Sequence, residues 1–564
     1  MKQLFVHNMV HDNPGLEKFQ SAYNEPAFLK SRGVSGKTFD LFRCAQYALL
    51  WDGVGEKYGR RAVFPVNSEE RAWAEKRQEE FQRLYTEATE TGLDVSFMMD
   101  MIVFPKTVIM LFPEILNEDG MIDIARPLTQ ALMTDMFEEM FRVFPQIKGI
   151  YVRYGETYAQ EKYGTPYHSG NNPILNGKEE YHHILINYLI RIVCEKHGRE
   201  IYYRTWGFGE FQRDKDVYLK VSERIPTHKN FYFCIKHTAG DFWRCVKFNP
   251  CINEGKHQQI IEVQAAREYE GKGAFPNYIG NDVINGAEEF KWIMPNEQKR
   301  GLRDVIGVEN SLVKGVWTWA RGGGWDGPYL NGANGKNGEV VVQDGKELWC
   351  DLNTYVITKW ALNPEKSDRY YVLQYAKEVL GTSDKDAQIF YELCLLSSRG
   401  VLFGNMHTGG KFPWRILWTR DQNINPRYLR LNAADAVECG AEEEVLWEKR
   451  HAVEIWRQIV SLSEQITTGN AVEYIRVTSK YGYYLYSLFE TMYRANVYAF
   501  KKNEEQTRKA IAEYDALWLE WLALKENNAC CPTLYAKADE DLDMLCYRGN
   551  YGFDSVINPL RDNK

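Results

Sequence analysis

Three apolar, strand-like runs in this chain each stop on a carboxylate: GIYVRYGE on Glu156, FCIKHTAGD on Asp241 and IIEVQAARE on Glu268. A run that ends on an acid facing solvent sets a titratable group at the mouth of a sheet. Three such ends in chain order point to a site assembled from successive barrel strands. Opposed carboxylates at such a mouth are the equipment for splitting a glycosidic bond. Glu156 follows Gly155, which lets the chain turn sharply at the strand end, and its functional reading is a general acid. Asp241 and Glu268 fall on neighbouring strands, where two acids side by side raise one another's pKa. The competing role for all three is structural, with Arg153 as partner of Glu156 and with Lys236, Arg204 or Arg267 as partners of the other two. Glu262 lies six residues before Glu268, so an alternating strand turns both inward, and a buried Glu262 needs a cation beside it.

Cations and aromatics gather at the same places. Arg153, Arg204, Lys236, Arg267 and Arg321 sit at strand ends, with His237 beside the lysine. They are candidate clamps for a substrate carboxylate such as that of a uronic acid, or they balance the acids just named. Trp206, Trp243, Trp317, Trp319 and Trp325 lie on or just after these strands. Each is a core candidate alone; together they are candidates for a wall that stacks on sugar rings.

Eight strand-like runs supply these ends: 3–11, 46–53, 94–104, 148–156, 200–208, 230–241, 259–268 and 314–322. Helical spacing fills 69–91, 126–143, 179–197, 214–224 and 286–310. Strands alternating with helices imply parallel pairing, and eight units close a (β/α)8 TIM barrel. A Gly/Asn-rich stretch at 331–346 predicts a small hairpin. Beyond it, helical patterns dominate at 347–360, 369–380, 384–398, 433–468, 471–501 and 505–526. The expected organisation is a catalytic barrel over 1–340 and a mostly α-helical C-terminal domain over 341–564. That helical surface also leaves room for a homodimer contact. Within it, LFGNMHTGGKFPWRILWTRDQ (402–422) reads either as a loop reaching over the barrel mouth, with His407, Trp414, Arg415 and Arg420, or as a buried interdomain loop.

The bulk properties of the 564 residues narrow the choice. The formal charge is −8, with signs interspersed and no long basic run, which excludes nucleic acid as the main partner. Aromatics make up 14% of the chain, with 16 Trp and 35 Tyr, a mild tilt toward ring stacking. No apolar stretch is long enough for a membrane span, and MKQLFVHNMVHDNPG has no apolar core of a signal peptide. Eleven scattered cysteines, with Cys530 and Cys531 adjacent, show no CxxC pair and read as reduced, mostly buried thiols. The expected setting is cytoplasmic, or periplasmic for a chain trimmed of an export signal.

Several segments resemble the glycoside hydrolase family 67 α-glucuronidases. IEVQAAREYEG (261–271) is similar to that family's Glu-Phe-Gln stretch leading into Gln-Glu-Tyr-Leu-Gly, which places a basic carboxylate on Glu268. IKHTAGDFW (235–243) is similar to its Lys-Asn-Gly-Pro-Ile-Asp-Phe-Gln segment, which places another on Asp241. IYVRYGETY (150–158) resembles the strand that carries its general acid, here Glu156. GVWTWARGGGWDGPYL and LWCDLNTYVITKWALNP resemble its last barrel strand and following helix. The likeness covers roughly 148–363. Gly155 stands in place of a serine, Glu270 in place of a leucine, and barrel-like sequence begins without the family's N-terminal α/β domain.

The resemblance implies an exo-acting, inverting hydrolase that releases a terminal uronic acid from an oligosaccharide, without cofactor or metal. Glu156 would protonate the leaving oxygen, and Asp241 with Glu268 would activate water from the opposite face. The alternatives are a retaining glycosidase on another sugar, a non-catalytic carbohydrate-binding barrel, and a polysaccharide lyase. No HExxH and no His/Asp cluster at ligand spacing suggests a metal hydrolase.

Overall fold

The computed structural model describes residues 3–11, 21–154, 164–168, 178–207, 209–293, 300–322, 327–328, 330, 347–408, 419–420, 423–539 and 551–561. Eight parallel strands close a barrel in sequence order: β1 (Phe5–His11), β2 (Gly36–Phe39), β3 (Asp94–Asp100), β4 (Ile147–Arg153), β5 (Glu200–Arg204), β6 (Phe231–Lys236), β7 (Gln258–Gln264) and β8 (Val313–Gly322), with β8 pairing back onto β1. Seven of the eight expected strands stand where their apolar runs put them.

The second is a correction. QYALLWDG forms no strand; its core is a short helical turn, Ala45–Ala48, and β2 is the earlier GKTF. The apolar side chains of the misread run are buried outside the barrel, where Tyr47 packs on Tyr167 at 4.8 Å and Trp51 on Phe104 at 5.9 Å. Two helical stretches are corrected as well. Among the described residues of 286–310 the helices are the short Phe290–Ile293 and Leu302–Ile306, and Gly286 at φ 76° turns the chain before them. The stretch 433–468 is two helices, Pro426–Glu438 and Glu442–Gln465, parted by Gly440 at φ 68°. The hairpin expected at 331–346 lies outside the described residues.

Alternation along each strand sends one set of side chains inward. The lower half of the barrel is filled by Phe5, His7, Tyr151, Tyr202, Tyr232 and Trp317, with Tyr151 stacked between Trp317 at 4.1 Å and Tyr202 at 4.4 Å. Glycines make room for them. A Cβ on Gly315 would lie 2.4 Å from the Phe5 ring, and one on Gly149 2.8 Å from Tyr202. Large residues therefore interdigitate with absent ones in a packed layer.

After the barrel come helices Leu348–Leu362, Asp368–Glu378, Asp384–Asn405, the pair above, Val472–Phe500, Glu504–Asn527 and Asp554–Arg561. The first of these belongs against the barrel wall. Its Ala361 carbonyl accepts the Leu4 N–H (2.9 Å), and Asn353 donates to the carbonyls of Ala265 (3.2 Å) and Asn277 (2.9 Å). The described cysteines are free thiols and most are buried. Among the described residues no helix is long and apolar enough to cross a membrane.

Candidate active site

The upper half of the barrel interior, at the C-terminal ends of the strands, is built from charge. Arg153, the last residue of β4, lies in register with Asp100, the last of β3, and grips it with two bonds, Nε–Oδ1 at 2.5 Å and Nη2–Oδ2 at 3.0 Å. Arg204 closes β5 and reaches past β6 to Glu262 on β7, again with two bonds, at 2.9 and 2.7 Å. This pair is sealed, with Arg204 2% and Glu262 0% exposed. Burial opposes the Arg204 charge, and Glu262 overrides that opposition and raises its pKa. The guanidinium also lies 5.6 and 5.4 Å from the Trp317 and Trp319 rings.

Asp241 and Glu268 sit one step above. The strands stop short of them: β6 ends at Lys236 and β7 at Gln264, so both acids are loop residues rather than strand-end residues. Arg267, at φ 56°, is the reason on the β7 side, because a non-glycine residue in the left-handed region breaks the extended run just before Glu268. Its guanidinium is tied to Glu270 at 2.9 Å.

Each of the two acids is held by named donors. Asp241 accepts the Lys236 ammonium (2.6 Å) and the Phe242 N–H (3.1 Å) on Oδ1, and the Tyr269 hydroxyl (2.6 Å) on Oδ2. These three partners all donate, and a carboxyl oxygen accepts each bond. Lys236 itself lies over the Trp206 ring at 3.4 Å and the Phe242 ring at 4.3 Å. Glu268 is gripped by Gln264, whose amide oxygen accepts the Glu268 N–H (2.7 Å) while its amide nitrogen donates to Oε1 (3.1 Å). Asp241 is 8% and Glu268 7% exposed, so both border the mouth without standing in solvent. Tyr269 joins the two loops, since it follows Glu268 in the chain and bonds Asp241.

The other candidate binders are also accounted for. Trp243 stacks on Tyr269 at 4.1 Å, and Trp319 is buried beside His11 and Phe242. His237 is neutral, its pKa pushed down to about 3 by burial and by Arg267. Arg321 faces Glu347 at 3.6 Å. All five strand-end cations thus have a carboxylate of the chain itself beside them. Glu156 and Trp325 lie outside the described residues, as do Trp414 and Arg415. Thr419, near the far end of the 402–422 segment, donates its hydroxyl to the Tyr269 carbonyl at 2.7 Å, while residues 409–418 and 421–422 lie outside the described residues.

Several members of the site escaped the sequence reading: Asp100, Asp40, Gln264, Tyr269 and Glu347. Asp100 was findable, because DVSFMMD ends on an acid as the other runs do. Asp40, whose Oδ1 accepts the Phe42 (2.8 Å) and Arg43 (3.1 Å) N–H groups, was hidden by the misplacement of β2. Nothing in the sequence marks the Gln264 grip or the Glu347 partner.

No protein-family model and no curated protein sequence matches the chain. Solved structures do. A GH138 enzyme targeting pectin rhamnogalacturonan II aligns with 93% of this chain at 12% identity and a TM-score of 0.55. A family 89 glycoside hydrolase from Clostridium perfringens aligns with 91% at 10% identity and 0.49, and an O-GlcNAc hydrolase from Thermobaculum terrenum with 94% at 9% and 0.37. The chain spans 62% of the first of these, 53% of the second and 91% of the third. The barrel with its helical region is therefore a fold shared with a glycoside hydrolase. None of the three is a family 67 enzyme.

Proposed function

We propose that this protein is a glycoside hydrolase whose Asp241 and Glu268 act on the sugar at the barrel mouth. One observation carries the reading: two nearly buried carboxyl groups stand on adjacent loops above β6 and β7, each fixed by its own polar grip and linked through Tyr269. Fixed carboxyl groups at the C-terminal face of a parallel barrel are the arrangement that glycoside cleavage needs. In this reading Asp241, bonded by Lys236 and Tyr269, and Glu268 form the base side that activates water, and Glu156 is the acid.

For the substrate we infer a terminal uronic acid, released in exo fashion with inversion. Its support is the resemblance over 148–363. A neutral sugar is the second reading, and what favours it is the pairing of all five strand-end cations with carboxylates of the chain.

Proton NMR of hydrolysis on a panel of aryl uronides and aryl glycosides tests these statements together. The expected result is turnover of a uronide with the inverted anomer appearing first. Glu268→Gln and Asp241→Asn should each lower turnover roughly 10²- to 10⁴-fold, the usual weight of an acid or base, with circular dichroism unchanged. A Glu268→Gln enzyme as active as the parent would sink the assignment, and first appearance of the retained anomer would overturn inversion.

A further inference from the structure

A cavity of about 320 Å³ lies beside the mouth, between the loop after β6 and the residues after β7. Asp241 and Glu268 do not line it, although their neighbours Trp243 and Arg267 do. Trp243 stacks one face on Tyr269, and Phe248 and Phe290 add further apolar surface to the walls. Three arginines border the space, and their situations differ. Arg244 is held by Asp282 at 2.5 Å and Glu289 at 2.9 Å, and Arg267 by Glu270 at 2.9 Å. Arg300, half-buried over the Phe248 ring at 5.7 Å, has no carboxylate partner among the described residues. The volume suits one ring rather than a chain, and falls in the range of small-ligand pockets.

We propose that this cavity is an accessory subsite for an acidic sugar ring, a pyranose bearing a carboxylate, which Arg300 pairs and the aromatic walls stack. That the ring is a sugar rests on the glycosidase reading; that it is an acid rests on Arg300. A guanidinium desolvated on one face by an aromatic ring, and left without an internal anion, is a site prepared for a carboxylate from outside. The adjoining Trp243–Tyr269 stack places the bound ring next to the loops that carry Asp241 and Glu268. A polysaccharide with acidic residues would then be held at a second point while one bond is cut.

Calorimetric titration of the full chain with D-glucuronate, D-galacturonate, D-glucose and D-galactose tests the site. At least one uronate should bind and its neutral counterpart should bind about tenfold more weakly, the worth of one charge-assisted pair. Arg300→Gln should weaken uronate binding at the cavity about tenfold, binding at the barrel mouth being separate from it, and Arg300→Lys should keep most of the affinity. Glu268→Gln should leave the Arg300-dependent binding in place while turnover is lost. Unchanged uronate affinity in Arg300→Gln, or equal affinity for the neutral sugar, would overturn the proposal. Binding that depends on Arg300 in a protein that hydrolyses no glycoside would leave the subsite standing and sink the hydrolase reading alone.

Discussion

The two halves of the barrel interior are built from opposite materials. Below, Phe5, Tyr151, Tyr202, Tyr232 and Trp317 stack around His7, which burial keeps neutral by pushing its pKa down to about 3. Above, the inward positions of the same strands carry Asp100, Arg153, Arg204, Lys236, Glu262 and Arg321. The lower half gains from apolar burial and close packing. The upper half gives some of that up, because taking paired charges out of water costs several kcal/mol per ion before the pairing returns it. Barrels concentrate function at this end, and the two layers interlock where Trp317 stands in register with Glu262.

The comparison can be broken most forcefully at Glu262. Glu262→Gln leaves Arg204 charged and buried, and should cost about 3–5 kcal/mol of stability in denaturant titrations. The double substitution Arg204→Met with Glu262→Met should recover most of that loss. A Glu262→Gln protein as stable as the parent would show the pair to be dispensable. Next is Tyr269→Phe, which removes the hydroxyl donor to Asp241. A hydrogen bond to a charged group is worth about 1.5–3 kcal/mol, so turnover should fall by roughly one to two orders of magnitude at unchanged melting temperature.

In the lower half, Gly315→Ala should destabilise by about 1–3 kcal/mol through overpacking against Phe5, and Phe5→Leu should restore part of it. The smallest effect is a slope. His7, His182 and His237 all have folded-state pKa values near 3, lowered chiefly by burial, against an unfolded value of 6.5. A depressed histidine pKa means the unfolded chain binds the extra proton, so stability is complete above pH 6.5 and falls as pH drops toward 3. Each contributes about 1.4 kcal/mol per pH unit in that window. Denaturation midpoints between pH 6.5 and 5 should show a shallower slope in His7→Gln, and an unchanged slope would mean the ring is protonated in the folded state.

What the sequence disclosed follows from what is local. Strands such as FYFCIK and IIEVQ announce themselves by length and apolar content, and so does the run of helices after residue 347. GKTF does not, being four residues long with a lysine in it, and the longer apolar run at 46–53 took its place. The acids at 241 and 268 stood out as the ends of such runs, yet the left-handed turn at Arg267 that lifts Glu268 off the strand has no signature in residue type. Pairings were the least legible. Arg204 and Glu262 lie 58 positions apart, and only closure of the barrel decides that they meet rather than Arg204 with Asp241.

Helix Leu348–Leu362 has a consequence for how the chain is made. It binds Leu4 ahead of β1, the Tyr23 hydroxyl and Arg32 through Asp351, and the segment after β7 through Asn353. The first strand therefore waits for β8 as its second neighbour and for this helix as its cover, both more than 300 residues away. During synthesis the N-terminal strands emerge long before the parts that complete them, and contacts of such separation form slowly. A nascent chain halted before residue 313 carries an open sheet edge, and one halted before residue 348 an uncovered apolar wall, a natural substrate for chaperones.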